Sequence, residues 1–396
     1  MPTKAKKKET WLRRRHRVVR NLAALVLGPY VRLKTGVHVT HFRAQGDRQY
    51  LIVANHQTGF DQFLVGMAFK GAVYYIASED LFSNGFISKL LRWAVNPIPI
   101  KKQTTDVKAV MNCLRVAREG GTIALFPEGN RTYDGKPVHI KPGIVGLMRK
   151  LGLPLAIFRI EGGYGVQPRW ADKCRKGPMR AAVSEVIEPE EYNAMTNEQL
   201  YALVCKALYV DECNGLGEYR SRHGAEYLER ALYVCPDCGL STLESHGDSI
   251  ACKRCGRTAR HLPNRTLEGV PFRNVSQWYD YQCDFVRGME TDPAVCLFRD
   301  KVSLWEVTLY KHKKCLRKSA EAGLWSDRIT IDGDLVLPFS EISTATVLGH
   351  NKLNLYWDGK LYQLRGDKRF NALKYVNLCY LEKNRKGEND NDFLGI

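Results

Sequence analysis

Two short polar stretches and four cysteines carry the side chains that could do chemistry. In "NHQTGFD", His56 and Asp61 stand five residues apart, directly after the apolar run 50–54. Five residues of α-helix turn through about 500°, leaving two side chains about 140° apart, so the pair cannot share a helical face. The chain must leave a strand at Asn55 and His56, bend through Gly59, where glycine makes a bend cheap, and enter a helix near Asp61. Asp61 could then accept a hydrogen bond from one imidazole nitrogen and leave the other to act as a base. An unperturbed imidazole titrates near pH ~6.5, and general-base help is worth roughly 10²- to 10⁴-fold in rate. H-x4-D alone is common by chance, and a second reading fits it equally: Asn55 and His56 satisfy loop backbone groups while Asp61 caps the next helix.

"FPEGNRT" supplies a second set. Arg131 offers a planar fork of donors suited to a phosphate. Gly129 permits a tight turn close to a ligand, and Glu128 could fix Arg131 or accept from a substrate hydroxyl. A surface salt bridge in a turn is the plainer reading. The cysteines are Cys235, Cys238, Cys252 and Cys255, two C-x2-C pairs separated by thirteen residues and each followed by glycine. Four thiolates make a closed tetrahedral site suited to structural Zn²⁺, with no open position for catalysis.

These stretches need elements to hold them. Residues 36–190 alternate short apolar strands with amphipathic helices, the pattern of an α/β layered domain. "YLIVA", "AVYYIAS", "TIALF" and "LPLAIFRIEG" read as strands. "QFLVGMAF", "SNGFISKLLRWAV" (with Ser83 or Asn84 as cap), "TTDVKAVMNCLRVAREGG" (capped by Thr105 or Asp106) and "KPGIVGLMRKLG" read as helices. Ligand sites in open α/β sheets gather at the carboxyl ends of strands, and both polar stretches follow strands. Residues 191–232 read as a helical connector that includes "HGAEYLERALYV", and 233–262 as a zinc ribbon. Residues 290–385 read as a β-rich, barrel-like domain closed by a helix, and 386–396 as a tail.

"NHQTGFD" followed about seventy residues later by "FPEGNRT" resembles the PlsC-type glycerolipid acyltransferase family, which includes 1-acylglycerol-3-phosphate acyltransferases. Asn55, His56, Gln57, Thr58 and Asp61 match the family's N-H-[QS]-[ST]-x-x-D block. Phe126, Pro127, Glu128, Gly129 and Arg131 match F-P-E-G-T-R-S, with Asn130 for Thr and Thr132 for Ser. Where the family's second block usually ends in Arg, "NPIPIKK" offers Lys101 and Lys102, and "LPLAIF" around Pro154 resembles the fourth block. The resemblance spans roughly residues 20–190. It implies transfer of an acyl chain from acyl-CoA or acyl-carrier protein to a lysophospholipid, by default 1-acyl-sn-glycerol-3-phosphate. His56 would be the base and Asp61 its orienter, while Asn55, Lys101, Lys102, Glu128, Gly129 and Arg131 would bind substrate, with no catalytic cofactor. A thioesterase or lipid hydrolase would use the same His-Asp site with water as acceptor.

The net charge of +18 points to an anionic partner. Nine of the first twenty residues are Lys or Arg against one acid, Glu9, and a short apolar run, 22–31, follows. Ten helical residues rise about 15 Å, half of a ~30 Å hydrocarbon core, so this run cannot span a bilayer. No small-residue cleavage site follows it, so a secretory signal fits poorly. Residues 1–35 therefore read as an interfacial, membrane-associating segment that meets anionic headgroups, placing the protein on the cytoplasmic face of a membrane as a peripheral or monotopic protein. A solvated tail with a first core helix is the bland alternative. Zinc ribbons often bind nucleic acid, but the ribbon here also carries Asp237, Glu244 and Asp248, and no nucleic-acid partner is expected. The β-rich domain faintly resembles PH- or GRAM-like barrels in architecture alone.

Overall fold

A computed structural model of the chain describes residues 10–100, 106–215, 217–308, 312–387 and 393–395. The first half is built on strands β1 (Val37–Val39), β2 (Leu51–Ala54), β3 (Val73–Ser78), β4 (Ile98–Ile100), β5 (Thr122–Leu125), β6 (Leu155–Glu161) and β7 (Met179–Ile187). They form one sheet in the order β1-β7-β6-β2-β5-β3-β4, with every neighbouring pair parallel except β6 and β7. Around it lie α1 (Arg14–Thr35), α2 (Asp61–Ala68), α3 (Phe86–Ala94), α4 (Val107–Arg118), α5 (Ile144–Leu151), α6 (Gly163–Val166), α7 (Pro189–Asn193) and α8 (Asn197–Leu208).

The alternation of a strand explains the layers. On β2, Leu51 and Val53 enter a core shared with Ile123, Leu125, Leu155 and helices α4, α5 and α8, while Ile52 and Ala54 enter a second core on the opposite face with Leu64, Val65 and Phe158. All four residues of β2 and of β5 are buried, as strands covered on both faces must be. Register pairs Leu51 with Ile123 and Val53 with Leu125, so the loops leaving β2 and β5 emerge side by side.

Local chemistry sets the helix ends. Asp106 caps α4 by accepting the Ala109 N–H at 3.0 Å. The start of α3 departs from expectation, because neither Ser83 nor Asn84 caps it. Gly85 enters the helix at φ +59°, and Ser83 Oγ donates instead to Thr308 O at 3.1 Å. A Cβ at Gly85 would also meet the exposed His312 ring, which would have to move aside. Helix α1 runs 22 residues through Pro29, yet no helix among the described residues is long and apolar enough to cross a membrane.

Residues 223–234, expected to be helical, form turns with a single 3₁₀ turn at Leu228–Arg230. Tyr227 takes a left-handed φ of 70° and gives its N–H to Ser245 Oγ, and Arg230 reaches Trp170 O and Asp172, so tertiary partners outbid helix propensity. Next come β8 (Val234–Cys235), β9 (Gly239–Leu240), β10 (Leu243–His246), β11 (Ser249–Cys252), β12 (Thr258–His261), β13 (Leu267–Glu268) and the helix α9 (Val275–Gly288), which the sequence reading passed over. The C-terminal domain comprises β14 (Phe298–Val307), β15 (Lys314–Leu324), β16 (Arg328–Ile331), β17 (Leu335–Pro338), β18 (Ile342–Leu348), β19 (Lys352–Trp357) and β20 (Lys360–Arg365), closed by α10 (Leu373–Arg385). Its antiparallel sheet runs β17-β16-β15-β14-β20-β19-β18. Of the segment expected to be a tail, Leu394 is buried, and Asn377 Nδ2 donates to its carbonyl at 2.7 Å. One core joins β8–β13, α9 and the C-terminal sheet, and it takes in Tyr133 and Trp170 from the first domain.

Candidate active site

The bend after β2 is drawn together by Asp61. Its buried carboxylate accepts from His56 Nδ1 at 2.7 Å, Gln57 N at 2.6 Å, Thr58 N at 2.9 Å and Thr58 Oγ1 at 2.6 Å. Asp61 holds the imidazole and also ties the loop amides ahead of α2, although it is the first residue of that helix and not its cap. An acceptor on Nδ1 puts the ring proton there and gives Nε2 the lone pair. The ring is stacked on Phe126, with centroids 4.6 Å apart.

Glu128 turns away from Arg131. Its carboxylate accepts the His56 backbone N–H at 2.8 Å and the Val138 N–H at 3.0 Å, so it joins the β2 loop to the β5 loop. Burial pushes its carboxyl up to about 7, against the pull of those two N–H donors. Gly129 sits at φ +67° and closes the turn by donating to Phe126 O at 2.9 Å.

Asn55 faces the protein: its amide exchanges two 2.8 Å hydrogen bonds with the backbone of Ile160, extending the β2–β6 ladder by one residue. That pairing makes it a support of the β2 loop, where sequence reading put it among substrate contacts. Arg131 lies beside the same loop, 4.0 Å from where a Cβ on Gly59 would stand, and its Nη1 is buried without a hydrogen-bond partner. Burial, reinforced by the nearby Arg169 charge, lowers its guanidinium to about 10. An enclosed donor with nothing to donate to is costly unless a ligand supplies the acceptor. An imidazole, the carboxylate that holds it and a guanidinium thus share one end of adjacent strands.

Residues 35–160 match the family model described as Acyltransferase. This part of the chain is similar to acyltransferases. Over 163 residues it is 21% identical to a 1-acyl-sn-glycerol-3-phosphate acyltransferase of Bacillus subtilis (strain 168), covering 41% of this chain and 78% of that one. Over 192 residues it is 21% identical to a chloroplastic 1-acyl-sn-glycerol-3-phosphate acyltransferase of Brassica napus, covering 46% of this chain and 53% of the plant protein. The acyltransferase PlsC of Thermotoga maritima superposes with a TM-score of 0.38 at 20% identity, over 49% of this chain and 91% of that one. The chain is an enzyme similar to the 1-acylglycerol-3-phosphate O-acyltransferases.

Around the acyltransferase domain's two loops, other side chains matter that sequence reading did not select. Gln167 Oε1 accepts the Gly59 N–H at 3.0 Å, and Arg169 Nη1 donates to Arg131 O at 3.0 Å. Lys101 and Lys102 lie outside the described residues. The four cysteines come together: Cys235 and Cys255 sulfurs are 3.6 Å apart, Cys238 and Cys252 sulfurs 4.0 Å, and all four lie within 4.8 Å of one another. Sulfurs around a tetrahedral zinc stand about 3.8 Å apart, given Zn–S bonds of about 2.3 Å, so the cluster fits such an ion.

Proposed function

We propose that this enzyme moves a fatty acyl group from acyl-CoA or acyl-carrier protein to the free hydroxyl of a lysophospholipid, with 1-acyl-sn-glycerol-3-phosphate as acceptor and phosphatidate as product. The observation that carries the reading is the 2.7 Å contact of His56 Nδ1 with Asp61, set beside the enclosed Nη1 of Arg131. His56 Nε2 takes the acceptor hydroxyl's proton as that oxygen attacks the thioester carbonyl. When the tetrahedral intermediate collapses, the C–S bond breaks and the proton passes from the imidazolium to the departing thiolate. Asp61 holds Nδ1–H and stabilises the imidazolium. Arg131 holds the phosphate through its fork. The four cysteines bind a structural zinc in the same proposal, with no part in these steps.

An assay crossing both donors with a panel of lysolipids, read by mass spectrometry, tests this. Lysophosphatidate is expected to be the best acceptor, and Arg131→Lys to raise its KM about tenfold, because an ammonium replaces a bidentate fork only in part. Thioester hydrolysis that proceeds equally without any lysolipid would move the enzyme to the thioesterases.

The reading also puts the protein on a membrane carrying anionic lipids. Helix α3 is inside out: only Ser88 is buried, while Phe86 and Ile87 are 75% and 66% exposed. Beside it, α1 exposes Leu22, Leu25, Val26 and Leu33. Arg15 joins the two helices, donating to Trp93 O at 2.9 Å and lying over the Trp93 ring. An apolar face bordered by Arg13, Arg14, Arg15 and Arg17 suits an interface of acyl chains under acidic headgroups. Leu25→Asp combined with Phe86→Asp is expected to weaken sedimentation with phosphatidylglycerol vesicles about tenfold or more. Unchanged partition would remove this face from the membrane.

A further inference from the structure

The segment after α6, "VQPRW", ties the acyltransferase domain to the C-terminal sheet. Its arginine, Arg169, is almost wholly buried, and every oxygen its guanidinium reaches belongs to a carbonyl or an amide. On one side Nη2 donates to Val347 O at 2.7 Å and Nε to Gly349 O at 3.2 Å, both at the turn from β18 to β19. On the other, Nη1 donates to Arg131 O at 3.0 Å and Nη2 to Asn130 Oδ1 at 3.4 Å. The guanidinium lies over the Tyr133 ring at 4.3 Å. The turn returns the contact, with His350 Nδ1 donating to Arg169 O at 2.5 Å and His350 O accepting from the Tyr133 hydroxyl at 3.3 Å.

Two features make this more than a packed interface. First, the oxygens on the catalytic side belong to Arg131, the cation of the site, and to Asn130 before it, one of the two positions where "FPEGNRT" departs from the family block it resembles. Second, the neighbouring residues Tyr133 and Trp170 sit in the C-terminal domain's core. The Arg131 backbone therefore has a fixed address on β18 and the turn after it as well as on the loop leaving β5. A planar fork shared between two domains transmits a displacement of one to the other, because close-packed interiors do not absorb it.

We propose that Arg169 is a positioning residue through which the turn 347–350 holds Asn130 and Arg131, so that the C-terminal domain sets acceptor affinity at the phosphate subsite. The identity of that subsite rests on the proposed function, whereas the coupling itself does not.

The test uses the full chain with R169Q, R169K and H350A. Amide hydrogen exchange is read by mass spectrometry in peptides covering 127–135 and, as control, in β2 and β6. R169Q is expected to speed exchange in 127–135 about tenfold, with the control strands unmoved. Acceptor KM should rise about tenfold while kcat and donor KM stay within about threefold. R169K should recover part of this, since one ammonium reaches only some of the four oxygens. H350A should shift both readings the same way to a smaller extent, and it carries the test if R169Q does not fold. Exchange in 127–135 within about twofold of the parent in these variants overturns the coupling. So does acceleration spread equally over β2 and β6, or a fall in kcat with acceptor KM unmoved. Local acceleration in a protein whose parent acylates no lysolipid would uphold the coupling and sink the proposed substrate.

Discussion

His56→Ala is expected to abolish nearly all acyl transfer, by roughly 10²- to 10⁴-fold or more, while leaving the protein folded. The loop that carries His56 does not depend on its ring. Glu128 grips the His56 backbone N–H, and Asp61 still has the amides of Gln57 and Thr58 and the Thr58 hydroxyl when the imidazole is gone. What disappears is the stacking on Phe126 and the base itself. Asp61 would be a poorer target, because its substitution removes the orienter and the tie of the loop together. The measurement is acyl transfer by purified variant and parent, alongside thermal melting. Activity within about tenfold of the parent in a folded variant would sink the assignment of the base.

The bend between His56 and Asp61 was legible because helix geometry forbids the alternative, and the pair does meet across a turn anchored at Gly59. The adjacency of the two loops was legible only in outline. That both follow strands is a sequence property, but that β2 and β5 are neighbours is a matter of strand order. Asn55 and Glu128, expected among the substrate contacts, both serve backbone groups of the protein, for one reason. A polar residue at a strand end reads as ligand-facing, yet backbone groups of Ile160 in one case, and of His56 and Val138 in the other, claimed the side chain first. Gln167 and Arg169 gave no signal, since the partners of Arg169 on β18 and the following turn lie 178 and 180 residues away. Helix α9 went unnoticed although Asn274 caps it by accepting the Gln277 N–H at 3.0 Å, because aromatic and β-branched residues dilute its helical pattern. The cysteine spacing was different in kind. Two C-x2-C knuckles specify a local geometry by themselves, and the sulfurs converge as that spacing requires.

Loss of metal from that cluster is the second large effect expected. Purified protein should hold about one zinc per chain by elemental analysis, and a strong chelator or Cys252→Ser should lower the melting temperature by about 10 °C or more. Strands β8–β13 are two to four residues each, too short to bury a core of their own. Four thiolates within 4.8 Å of one another cannot all stay ionised without a cation among them. The damage should spread in one direction. Trp278 Nε1 donates to Val234 O at 2.8 Å, and Gln282 bridges Ala231 O and Tyr233 N, so α9 and the C-terminal sheet share the ribbon's core. The acyltransferase sheet has two cores of its own. Limited proteolysis of chelated protein should therefore cut the C-terminal half first and spare residues 36–190. If Arg169 couples the two halves as proposed, acceptor KM should rise in the same preparation, although zinc touches no reacting atom. Zinc-free protein that melts unchanged in chelator would show that the four sulfurs pack together without a metal.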